Sequence, residues 1–123
     1  MAWSLDARIP LLLLGTAEAL AEALAGGGPT ALLVEAPPGP MPDRAVAQVS
    51  FDASMPHSAT CGCCGGRSPP ATALDRLFQA RTRAQCGWFD RVLALVETPA
   101  AAAELQAALR EDAVTAARFR LVS

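Results

Sequence analysis

Ile9-Pro10-Leu11-Leu12-Leu13-Leu14, followed by Gly15-Thr16, is the stretch on which the fold turns. It is an unbroken apolar run rather than an alternation, so it suits a strand covered on both faces, as in a parallel sheet. Gly15-Thr16 then opens a helix. Ala17, Leu20, Ala21 and Leu24 recur at helical spacing, and Gly26-Gly27-Gly28-Pro29 stops it. Glycine favours the turn past a helix end and proline cannot continue the helix.

The same alternation continues outward. Residues 30–36 (TALLVEA) form a second apolar strand, and the proline-rich residues 37–42 form a loop. Ala45–Phe51 (AVAQVSF) alternates, as a strand with one wetter face does. Residues 52–66 have no periodicity and read as a loop. Ser68-Pro69-Pro70 begins a helix that runs to about Gln85 through Leu74, Leu77, Phe78 and Arg81. Residues 91–96 (RVLALV) form another buried strand that ends at Glu97. Thr98-Pro99 starts a helix with Ala102, Leu105, Ala108 and Leu109 on one face. Asp112 caps a last short helix, and Phe119 to Val122 opens a final strand. Apolar strands that alternate with helices predict an α/β protein, a three-layer, mostly parallel sheet with flanking helices. At 123 residues the chain is one domain, residues 1–123.

Composition excludes several functions. With 52% hydrophobic and 18% charged residues, the chain is too apolar to be disordered. A net charge of −2 gives no positive field for nucleic acid. No apolar run approaches the roughly 20 residues that span a bilayer. All 10 basic residues are Arg, so chemistry that needs a lysine amine is excluded. Ile9–Leu14 is too short for a secretory core and is followed by Glu18 and Glu22, so a cytoplasmic location is expected.

Three segments are candidates for chemistry. A phosphate loop after the first strand would read G-x-x-x-x-G-K-[ST]. Here the second glycine is Leu20, the lysine is Ala21 and the hydroxyl is Glu22, so the helix is read as structural. The second segment is Cys61-Gly62-Cys63-Cys64 with Gly65-Gly66-Arg67. Thiolates are soft ligands for zinc or copper(I), and the glycines let the backbone fold so that the sulfurs converge. Three thiolates leave a fourth position for His57, Cys86, water, a ligand or another chain. His57 stands four residues before Cys61, whereas Cys86 lies at the far end of the next helix and reads as a core or surface residue rather than a ligand. Redox chemistry or simple packing of these cysteines is the competing reading. The third segment is Glu97-Thr98, where a carboxylate could hold a magnesium-bound water, or where the pair merely caps a turn.

Taken together, these pieces resemble the CobW-type metal-centre GTPases, relatives of the nickel-insertion GTPases of urease and hydrogenase. Thr60-Cys61-Gly62-Cys63-Cys64 matches the family's cysteine turn, and Leu74 and Leu77 match its helix. Phe89-Asp90-Arg91-Val92 matches the start of a strand. Glu97 and Thr98 match the glutamate motif, with Ala100 in place of its glycine. Asp112, Ala116 or Ala117, Phe119 and Leu121 match the last segment. The resemblance implies a truncated P-loop NTPase-like domain that lacks the phosphate loop, the guanine-reading loop and the carboxyl-terminal domain. It implies zinc-like metal at Cys61, Cys63 and Cys64, with His57 beside them, and a metallochaperone accessory or sensor to which GTP does not bind. The alternatives are a pseudo-GTPase interaction protein with relic cysteines, or a GTPase completed by a partner chain. A sheet cut off near Val122 leaves an unpaired edge, so a homo-oligomer or a complete CobW-type GTPase is the expected partner, with neither nucleic acid nor membrane.

Overall fold

The computed structural model describes residues 7–52 and 68–122. In chain order the elements are β1 (Ile9–Leu14), α1 (Ala17–Ala25), β2 (Thr30–Glu35), β3 (Ala45–Phe51), α2 (Pro69–Thr82), β4 (Arg91–Leu95), α3 (Pro99–Glu111), α4 (Ala113–Arg118) and β5 (Phe119–Val122). The strands form one sheet in the order β3-β2-β4-β1-β5. Each neighbouring pair is parallel. The expected three-layer α/β architecture is therefore present, with a sheet that is wholly parallel among the described residues.

The strand order dictates which face each helix covers. From β1 the chain crosses β4 to reach β2. From β3 to β4, and from β4 to β5, it moves in the opposite direction along the sheet. Right-handed crossovers in opposite directions place their helices on opposite faces. On one face, Leu20 and Leu24 of α1 pack against Leu32, Val34, Ala45 and Leu93. On the other, Ala73, Leu74 and Leu77 of α2 and Ala101 and Leu105 of α3 pack against Ile9, Leu11, Leu33, Val92 and Phe119. Residues one apart on a strand thus serve different cores, which is why Leu32 and Leu33 are both fully buried.

Local chemistry sets the helix ends. Thr16 caps α1 by accepting the Ala19 N–H at 3.1 Å. Thr98 caps α3 by accepting the Ala101 N–H at 3.2 Å, with Pro99 in the first turn. Asp112 caps α4 through the Thr115 N–H at 3.0 Å, as the sequence predicts.

The end of α2 differs from expectation. The helix stops at Thr82 rather than near Gln85. Ala84 N–H donates to the Arg81 carbonyl and Gln85 N–H to the Ala80 carbonyl, closing a Schellman motif. Ala84 stands at the left-handed position of that motif with φ of 54°, a place usually held by glycine. With alanine there, the sequence carried no stop signal.

Candidate functional site

Ligands of open parallel sheets bind beyond the carboxyl ends of the strands, where neighbouring strands send their helices to opposite faces. Here that point lies between β1 and β4. The Val96 N–H donates to the Leu14 carbonyl at 2.9 Å, which holds the two strand ends together. Gly15-Thr16 therefore lies beside the Glu97-Thr98 turn, and both turns open helices.

The α1 turn has no phosphate cradle. Thr16 spends its hydroxyl oxygen on the helix cap. Leu20, at the position of the second loop glycine, is 8% exposed and belongs to the core. Ala21 and Glu22 are on the solvent side, and Glu18 sits in the first turn of the helix. A carboxylate there complements the helix dipole and repels an incoming phosphate.

The α3 turn is filled from within the chain. Glu35, the last residue of β2, reaches across to it. Its Oε1 accepts the Glu97 N–H at 2.8 Å and the Thr98 N–H at 3.0 Å, and its Oε2 accepts the Thr98 hydroxyl at 2.8 Å. Partial burial and the charge of Asp52 oppose ionisation of Glu35. The hydrogen bonds from Thr98 and from the Glu97 and Thr98 amides outweigh them, so its pKa lies below the ordinary glutamate value. An anion at the start of α3 would have to displace this carboxylate. Glu97 itself is exposed and contributes its amide to the turn.

Glu35 was not singled out in the sequence, although a lone carboxylate closing the apolar run TALLVE is a visible signal. Its neighbour Phe51, at the end of β3, accepts the Ala36 N–H at 2.8 Å. The ends of β2 and β3 are thereby joined, and Asp52 follows directly.

Cys61, Cys63, Cys64 and His57 lie outside the described residues. The chain that carries them leaves from Asp52, at the carboxyl end of β3, and returns at Ser68, immediately before α2. Both anchor points border the ligand end of the sheet. A cavity of about 190 Å³ at the end of β3 and the start of α2 is lined by Ser50, Phe51, Asp52, Pro69, Thr72, Ala73 and Arg76.

Cys86 is half-buried against the larger core. It follows the far end of α2, about 20 Å along the helix from Ser68 at 1.5 Å per residue. Among the described residues, no group of three His, Cys, Asp or Glu side chains could hold a metal ion. Nor is any helix among them long and apolar enough to cross a membrane.

Comparison with protein families, with curated proteins and with solved structures gives no match.

Proposed function

We propose that this chain is a metal-binding relative of the CobW-type GTPases that holds zinc or a similar soft ion through Cys61, Cys63 and Cys64, with His57 as the nearest candidate for a fourth donor, and that does not hydrolyse GTP on its own. The observation that carries the reading is the packing of three thiols into four residues, on a segment whose anchors, Asp52 and Ser68, border the ligand end of a parallel sheet. Three soft donors with a fourth position open suit exchange of the ion rather than permanent storage. The role that follows is delivery or sensing of metal, in a homo-oligomer or beside a complete GTPase.

Two features support the absence of hydrolysis. The α1 turn presents Glu18 and lacks lysine, whereas phosphoryl transfer needs a backbone cradle and a cation on the β- and γ-phosphates. The α3 turn is already satisfied by Glu35.

Cobalt(II) substitution of the reduced protein tests the metal site. The expected result is an intense thiolate charge-transfer band in the near ultraviolet, lost when Cys61, Cys63 and Cys64 are all changed to Ser. If the band is absent, or survives in the triple variant, the cysteines hold no metal and the interaction-protein reading replaces this one.

A further inference from the structure

The amino end of the sheet carries charges of both signs around an exposed aromatic ring. Trp88 is 61% exposed there. Asp43 and Arg44 stand immediately before β3, Arg83 follows the end of α2, and Asp90 stands immediately before β4. Parallel strands start at one end, and α2 finishes at that end. A Cβ on Gly87 would lie 3.4 Å from the Val46 side chain, so the Trp88 loop lies against the start of β3. Asp43, Arg44, Arg83 and Asp90 are all exposed. None of their side chains has an ion pair or a hydrogen bond among the described residues. We propose that this surface is a two-fold interface between two copies of the chain, with Trp88 at its centre and Asp43, Arg44, Arg83 and Asp90 on its rim.

The ring is already held in place. The Arg81 guanidinium lies 3.6 Å from the Trp88 ring centroid and 5.4 Å from that of Phe89, which is fully buried. This stack backs one side of the indole with protein, so the ring has little freedom left to lose on association. Tryptophan and arginine anchors of this kind carry much of the binding energy at protein interfaces.

An indole by itself specifies no partner, but the charges around it do. A two-fold surface meets itself, so it must hold both members of each complementary pair. Arg44 and Arg83 with Asp43 and Asp90 satisfy that condition, and none of the four is spent within the described fold. A partner of one charge sign would be repelled by half of the rim. The edge of β3 is a poorer meeting place, because its pairing with β2 slips in register between Thr30 and Ala31, and such bulges deter a further strand. One exposed ring with four rim charges belongs at the small end of the ~1,200–2,000 Å² range of specific interfaces, so a dimer Kd of about 10–100 µM is expected. The interface gives the homo-oligomer a surface without resting on the metal site.

The test is sedimentation equilibrium of the full chain, reduced and with chelator present. A monomer–dimer equilibrium is expected, weakened at least tenfold by Trp88→Ala. Two charge variants, all at exposed positions, decide the rest. Arg44→Asp with Arg83→Asp makes the rim wholly acidic, and Asp43→Arg with Asp90→Arg makes it wholly basic. Each should be a folded monomer by circular dichroism and sedimentation, and the two mixed should form a 1:1 heterodimer at least tenfold tighter than either homodimer. The proposal is overturned if the native chain stays monomeric at about 500 µM, fivefold above the weakest expected Kd. It is overturned equally by a dimer that survives the charge variants, by association beyond the dimer, or by a mixture that does not associate. If Trp88→Ala fails to fold, the mixed charge variants alone decide. With chelator present, none of these outcomes bears on the thiolate site.

Discussion

Glu35 Oε2 accepts the Thr98 hydroxyl at 2.8 Å while its Oε1 takes the two amides beside it, so a side chain of β2 closes the start of α3. One carboxylate joins the ends of strands that are adjacent in the sheet but 62 residues apart in sequence at their closest bond. It also occupies the anion position of the turn. The sequence offers this turn either for a magnesium-bound water at Glu97 or as a cap, and the geometry gives it to an internal carboxylate hydrogen-bonded to the helix start.

The depressed pKa of Glu35 makes this contact dependent on pH. Its folded value lies below its unfolded value, so its contribution is complete above the ordinary glutamate range and is lost as pH falls through the folded value. Glu35→Gln should therefore cost about 1 kcal/mol at pH 7 and much less in acid below the folded value, since hydrogen bonds to a charged group exceed neutral ones. Urea unfolding of both proteins at the two pH values checks it. An equal cost at both would show that the charge is irrelevant.

Thr30 is 1% exposed. Its hydroxyl donates to the Gly28 carbonyl at 2.9 Å and accepts Arg91 Nε at 2.7 Å, while Arg91 Nη2 donates to the Ala23 carbonyl at 2.9 Å. Thr30→Val keeps the shape but strands these groups, at a cost of about 1–3 kcal/mol. Thr30→Ser should lose less. The denaturant midpoint should fall with an unchanged slope.

Ala84, at φ 54°, pays for its left-handed conformation. Ala84→Gly should stabilise the fold by about 0.5–1 kcal/mol, the steric relief being partly offset by the greater freedom of glycine when unfolded. A thermal melt that moves downward would contradict the Schellman assignment.

For the proposed metal site, replacing any one of Cys61, Cys63 and Cys64 by Ser should weaken binding at least tenfold, about 1.4 kcal/mol. Cys86→Ser should have little effect, because Cys86 packs on the core beyond the far end of α2. Affinity should fall as pH drops, since each thiol must lose a proton to coordinate. Competition with a chromophoric chelator at several pH values measures both.

A calorimetric titration with magnesium and GTP should show no binding to the chain alone. Micromolar affinity would mean that the Glu18 turn or the Glu35 contact rearranges to admit phosphate.

The sequence by itself determined the order and kind of the elements. Runs such as IPLLLL and TALLVE cannot be wetted on either face, so they had to become strands of a covered parallel sheet. Thr16, Thr98 and Asp112 marked three helix starts because capping is local, a side chain bonding an amide three residues on. What only the tertiary structure decided is where distant residues meet. Strand order β3-β2-β4-β1-β5 brings Glu35 to Thr98, and the packing sets the Trp88 loop against the start of β3. No periodicity encodes such meetings, because they follow from the direction of each crossover and from which strands the sheet makes neighbours. The end of α2 at Ala84 belongs to the same class: its left-handed turn is imposed by surrounding structure on a residue whose own preference is to continue the helix.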